Sequence, residues 1–228
     1  MPWKSRLVER RVRTWQFDRL VATFCQFYRW APPVFISPDR HLVAWQRNLR
    51  YNRCVLLEPR LGMPAGLVRH IDGAQRLFLA FRASLLAGRV RARRIVDGHG
   101  DLRPEHICLG DTPCIIDCLE FNAALRAADP FDEVAFLSLE CEWLGTPWVG
   151  RYIRRRIAAA LRDGPSDELF TFYRCYRATL RARLAIAHLL EPSPRTPEKW
   201  PALARTYLKL ARADAIRLEK SLRTRADR

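Results

Sequence analysis

His99-Gly100-Asp101-Leu102-Arg103-Pro104-Glu105-His106 is one short stretch dense in side chains that do chemistry, and Ile116-Asp117-Cys118-Leu119-Glu120 is a second. Between them, Ile107-Cys108-Leu109 and Cys114-Ile115-Ile116 flank Gly110-Asp111-Thr112-Pro113, turn chemistry between two β-prone runs, which predicts a small hairpin. A loop entering that hairpin puts Asp101 at its mouth, and the returning strand carries Asp117 to the same end. Two carboxylates converging on one cavity can take a hydroxyl proton and hold a divalent cation, as phosphoryl transfer requires. The expectation is that they lie within roughly 10 Å, a span that a metal and a phosphate can bridge.

The elements that position them read as mostly helical. Trp15, Leu20, Val21, Phe24, Phe27 and Tyr28 recur at helical intervals until Pro32-Pro33 forbids continuation. A weaker pattern runs through Leu42, Val43, Trp45 and Leu49, and a stronger one through Ile71, Ala74, Leu77, Phe78, Phe81, Leu85 and Leu86 before Gly88. Beyond the hairpin, Val134 to Leu144 suggests a buried helix, Tyr152 to Leu161 another, Leu169 to Leu190 a long one, and Pro201 to Leu222 a last one after Pro192, Pro194 and Pro197. Trp15, Phe24, Phe27, Phe78, Phe81, Phe136 and Phe172 are expected in the core. The fold class is mainly α with a small β-hairpin (α+β), in one domain: residues 1–95 helical, residues 96–121 the loop and hairpin, and residues 122–228 helical again.

His99-Gly100-Asp101, then Ile116-Asp117, then Asp129-Pro130-Phe131-Asp132-Glu133-Val134-Ala135 match, in order and spacing, three motifs of the aminoglycoside phosphotransferase family, a branch of the protein-kinase-like fold that this sequence resembles. Tyr173, Tyr176 and Arg177 look like a later stretch of the same lobe. The resemblance implies an ATP-dependent phosphotransferase acting on a small-molecule hydroxyl. Asp101 would accept or orient the hydroxyl proton, His99 and Gly100 would shape the loop, and Asp117, with Glu120 in reach, would hold Mg²⁺ bridging the ATP phosphates.

Two departures qualify it. The family has Asn five residues after the base, where this chain has His106. Asn offers Mg²⁺ a hard oxygen and imidazole does not, so His106, on the cofactor side of the site, has bracing the loop or hydrogen-bonding Asp117 as its alternatives. The phosphate-covering Gly-rich loop and the strand Lys are also not found before His99, since the first Gly is Gly62 and the early Lys is Lys4. The resemblance is therefore to the C-terminal lobe, with the N-terminal nucleotide lobe missing and activity weak or absent unless a complementing lobe is supplied. The alternatives are a non-catalytic remnant that binds a protein partner and a basic nucleic-acid-binding protein.

Composition bounds the rest. With 228 residues, 49% hydrophobic and 28% charged, the chain is long and apolar enough to fold around a real core. The net charge is +16, and all but four of the cations (Lys4, Lys199, Lys209, Lys220) are Arg. Arg89, Arg91, Arg93 and Arg94, and Arg151, Arg154, Arg155 and Arg156, could attract nucleic acid, but aromatics are not interleaved with them in a way that offers a stacking platform and they read as solvated faces, so nucleic acid is not the expected partner. Seven irregularly spaced Cys predict reduced thiols in a cytoplasmic protein. Cys108, Cys114 and Cys118 with His99 and His106 lack zinc-site spacing and read as buried thiols. The start, Met1 to Arg13, lacks an apolar h-region, and no membrane span is expected. His41, His70 and His188 show no charged partner at useful spacing.

Overall fold

Prolines and small polar caps set the helix boundaries. In the computed structural model, which describes residues 14–226, α1 (Thr14–Trp30) stops two residues short of Pro32-Pro33. α2 (Pro38–Leu56) begins with Pro in its first turn, and the Ser37 hydroxyl accepts from the Arg40 amide at 3.2 Å, satisfying a donor the helix itself cannot. α3 (Ala65–Arg91) is bent at Arg82, whose φ of −131° and ψ of 17° leave the helical region. A four-residue helix, α4 (Ala123–Arg126), follows the hairpin. Then come α5 (Pro130–Trp143), α6 (Pro147–Leu161), α7 (Asp167–Ala187) and α8 (Lys199–Ala226). The segment Met1 to Arg13 lies outside the described residues.

Strands are short. β2 (Ile107–Cys108) pairs antiparallel with β3 (Cys114–Ile115), with Ile107 opposite Ile115 and Cys108 opposite Cys114. A second pair, absent from the sequence expectation, joins β1 (Val96–Asp97) to β4 (Ala127–Ala128). Two residues cannot show a period, so β4 left no pattern to read. The protein is thus mainly helical with small antiparallel pairs, and among the described residues no helix is long and apolar enough to cross a membrane.

The chain forms two compact units, each assembled from two separated stretches. One takes Met1–Phe35 and Arg89–Ser166; the other takes Ile36–Gly88 and Asp167–Arg228. In the first, Phe17, Leu20 and Phe24 of α1 are fully buried, and Phe17 meets the Trp148 ring edge-on at 5.5 Å. α5 is buried from Pro130 to Cys141 on every side, including Asp132, Glu133 and Glu140. Its contact with α6 is close enough that a Cβ on Gly150 would collide with Ser138. In the second unit Trp45 packs among Phe172, Tyr173 and Tyr176, and Phe78 stacks on Phe172 at 4.3 Å. Arg174 reaches the buried Asp214 at 3.2 Å.

Several expected core residues are outside. Trp15 is 45% exposed, Phe27 37% and Phe81 66%. On α1 the inward stripe is Phe17, Leu20, Val21, Phe24, Cys25 and Tyr28, so Trp15 and Phe27 fall beside it. Phe81 adjoins the Arg82 bend, where the helical register is interrupted. The histidines do have partners: His41 accepts from the Trp45 indole at 3.0 Å, His70 meets Glu219 at 3.0 Å, and His188 meets Glu191 three residues on at 2.7 Å.

Candidate functional site

His99 staples the two chemistry-bearing stretches together. Its Nε2–H donates to the Ile116 carbonyl at 2.8 Å while Nδ1 accepts from the Asp101 amide at 3.3 Å, a pattern that fits the neutral ring. Burial lowers its pKa, in keeping with that form. The His99 carbonyl accepts from the Leu119 amide at 3.1 Å, so the loop before the hairpin and the loop after it are tied at both ends of one residue.

His106 joins the two carboxylates. Its Nδ1 donates to the Asp101 carbonyl at 2.8 Å and lies 3.7 Å from Asp101 Oδ2, and its Nε2 lies 3.2 Å from Asp117 Oδ2. One imidazole touches both groups, so Asp101 and Asp117 are separated by no more than that ring and two contacts. Asp117 itself follows β3 rather than sitting on it, in the left-handed region at φ 63°, with its carboxylate 75% exposed. Glu120 is exposed at the edge of a cleft and is not among the groups these contacts join.

Arg103 was missed by the sequence reading. Its Nε and NH2 meet Asp101 Oδ2 at 3.0 and 2.9 Å, its NH1 meets Glu105, and its NH2 lies 3.1 Å from His106 Nε2. A neutral His106 can accept there from Arg103; a protonated one can donate to Asp117 instead. All side-chain contacts of Asp101 fall on Oδ2, leaving Oδ1 without a protein partner among the described residues.

Glu133 was also missed, as a role within a matched motif. Buried in α5, it accepts from the Gly100 amide at 2.5 Å and from the Tyr28 hydroxyl at 2.9 Å. Gly100 needs to be glycine: φ is 86°, and a Cβ would come within 2.9 Å of Leu119 and 3.1 Å of the Leu125 carbonyl. Arg126 holds the other loop, with a fork onto Asp97 at 2.7 and 3.2 Å and NH1 on the Leu119 carbonyl at 2.9 Å.

Behind these groups Arg89 bridges Asp129 (Nε 2.5 Å) and Asp163 (NH1 2.7 Å), removing it from the expected solvated Arg face. Burial alone would lower its pKa, but the hydrogen bonds it donates to both carboxylates raise it, and Arg89 correspondingly overrides burial to lower that of Asp163. Arg91, Arg93, Arg151, Arg155 and Arg156 are exposed.

The thiols reverse an expectation. Cys114 and Cys118 are exposed and Cys108 half-buried, because the hairpin turns that face outward. The adjoining cleft, about 880 Å³, is lined by Phe27, Trp30 and Pro32 on one side and by His99, Ile115 and Glu120 among others.

For Mg²⁺ the donor set fits in a restricted way. Among the described residues no three His, Cys, Asp or Glu side chains group as a cage. Mg²⁺ in phosphoryl-transfer sites takes one or two carboxylates and completes its shell with phosphates and water. The exposed Asp117 suits that, whereas the His106 ring is occupied by Asp101, Asp117 and Arg103.

No family model matches the chain, and no solved structure matches it. Uncharacterized proteins of Mycobacterium tuberculosis (strain H37Rv) and Mycobacterium bovis are each 36% identical to it over 129 residues, 56% of this chain. That stretch spans about a quarter (26%) of the relatives' length.

Proposed function

We propose that this chain carries the catalytic-loop half of a kinase-like phosphotransferase site, in a C-lobe of aminoglycoside phosphotransferase type, acting on a small-molecule hydroxyl. The observation that supports it is the single His106 ring reaching both Asp101 and Asp117. Arg103 fixes the orientation of Asp101 through Oδ2, and Oδ1 is the atom for the acceptor hydroxyl. Asp117 would hold Mg²⁺, which when bound neutralises phosphate charge. His99 and Glu133 keep the two loops in register, and His106 acts as a brace.

Among the described residues no Gly-rich loop or strand Lys clamps the phosphates, and that electrostatic clamp supplies much of the catalysis in this chemistry. The chain by itself is therefore weak or inactive, and a complementing nucleotide lobe is its expected partner. Calorimetric titration with Mg·ATP tests this: weak binding, reduced further by Asp117→Ala, is the expected result, and tight binding by the chain alone would overturn the dependence on a second lobe. With such a lobe, Asp101→Asn should lower turnover by roughly 10²–10⁴ with nucleotide affinity nearly unchanged. Equal losses of affinity in both variants would remove the division of roles.

A second reading, a non-catalytic module that binds a partner, is favoured by Trp30, Phe35 and Phe121, which are 82%, 80% and 81% exposed in the same unit. Undiminished partner capture by Asp101→Asn with no phosphotransfer in any combination would select it.

A further inference from the structure

We propose that Cys108 and Cys114 are a thiol–disulfide modification site, closing a cross-strand bridge in the hairpin that His106 enters and Asp117 leaves. The two residues are direct partners in the β2–β3 register, so their side chains share one face. The Ile116 amide donates to the His106 carbonyl at 2.9 Å, which makes that pair hydrogen-bonded. Along an antiparallel ladder the next such pair is two residues further on, Cys108 with Cys114, where Cα atoms stand about 5.5 Å apart. Disulfides span about 4.4–6.8 Å between Cα atoms, so the pair lies in bridging range, and closure draws the two Cβ atoms together from the roughly 4.5–5.5 Å of a cross-strand pair to about 4 Å.

The Cys108 side chain is near enough to act on the ionisation of Cys114. Desolvation, and then the neighbouring Cys108 thiol, raise the Cys114 pKa, so the reaction gains from mildly alkaline conditions. Access is asymmetric: Cys114 is exposed and Cys108 half-buried. Cys25, Cys141 and Cys175 are buried, and Cys118 lies beyond β3 outside the paired register.

The chemistry is an exchange with a low-molecular-weight disulfide such as oxidised glutathione. The Cys114 thiolate attacks one sulfur of the oxidant, whose S–S bond breaks and releases one thiolate, leaving a mixed disulfide. The Cys108 thiolate then attacks the Cys114 sulfur and expels the second thiolate. Each cysteine gives up one proton and one electron, and the oxidant is reduced to two thiols. The bridge spans only the turn, so its effect is local: it fixes the spacing of the two strands whose ends lead to His106 and Asp117. The proposal stands whether or not the site transfers phosphate.

The test is incubation of the full chain with oxidised glutathione at mildly alkaline pH, followed by peptide mass spectrometry. The expected result is a Cys108–Cys114 bridge, a loss of two hydrogens reversed by dithiothreitol, with slower amide exchange across the hairpin. Cys108→Ser should trap glutathione on Cys114, because the resolving thiol is gone, and circular dichroism confirms that the variant is folded. Stable glutathione on Cys114 of the unmodified chain with Cys108 still free would overturn the proposal. So would a Cys114–Cys118 bridge, or no reaction at Cys114.

Discussion

Arg89 and Arg103 each hold two carboxylates in the same unit, and the two clusters have opposite consequences. Arg89 forks onto Asp129 and contacts Asp163, with side-chain exposures of 10%, 2% and 13%. Asp129 spends both oxygens there while Oδ1 also accepts from the Phe131 amide to start α5. Arg103 holds Asp101 and Glu105 at 23% and 30% exposure, beside an Asp117 that is mostly in water. A guanidinium whose partners are largely withdrawn from solvent and saturated is a structural rivet; one whose partner retains an open oxygen near solvent, as Asp101 does at Oδ1, orients it for something not yet bound. The same ionic unit serves stability or chemistry according to how many acceptor sites the fold leaves over.

Removing the rivet should have the largest effect. Arg89→Ala takes the shared guanidinium from the buried Asp129 and the half-buried Asp163, and a loss of about 3 kcal/mol, most of it from Asp129, is expected in denaturant unfolding. A cost below about 1 kcal/mol would erase the distinction between the clusters. Next comes Gly100→Ala, which puts a side chain at φ 86° against Leu119; roughly 1–2 kcal/mol should be lost. Asp101 and Asp117 should at the same time lose their register, seen as altered amide shifts from His99 to Leu119. Smaller still is Arg103→Ala, expected to cost about 1 kcal/mol or less, because Asp101 and Glu105 can turn to water. A loss as large as for Arg89 would show the site cluster to be structural as well.

The smallest effect is a pH dependence. His99 has its pKa lowered, by burial above all, so between its folded value and the ordinary 6.5 the unfolded chain binds the extra proton. Stability is then full above 6.5 and falls as pH drops below it, by at most about 1.4 kcal/mol per pH unit from this group. His99→Gln should flatten that slope in urea titrations taken at successive pH values, and an unchanged slope would assign it elsewhere. Asp163 works in a lower window: its pKa is depressed, so its pairing with Arg89 persists below the ordinary carboxylate range and is lost only as pH falls through the folded value.

How far these clusters could be read in advance differs. His99, Asp101, His106 and Asp117 lie close in sequence around a turn of evident type, so their convergence follows from one hairpin. Arg89, Asp129 and Asp163 are scattered, and Arg89 sat in a run of cations that resembled any exposed face. Glu133 was hidden because α5 is buried all round, so no polar stripe set its carboxylate apart from the apolar residues beside it.

The order of residues alone determined the helices that Pro and small caps begin or end, the β2–β3 hairpin, and which carboxylates belong to one neighbourhood, because all of these are decided by contacts a few residues apart. Only the tertiary structure decided that Trp15, Phe27 and Phe81 face out, that Cys114 is exposed, and that Glu133 holds Gly100 while Arg89 joins Asp129 to Asp163. Those outcomes depend on which element covers which face and on where a buried charge finds its partner across the chain, and neither is encoded in any local period.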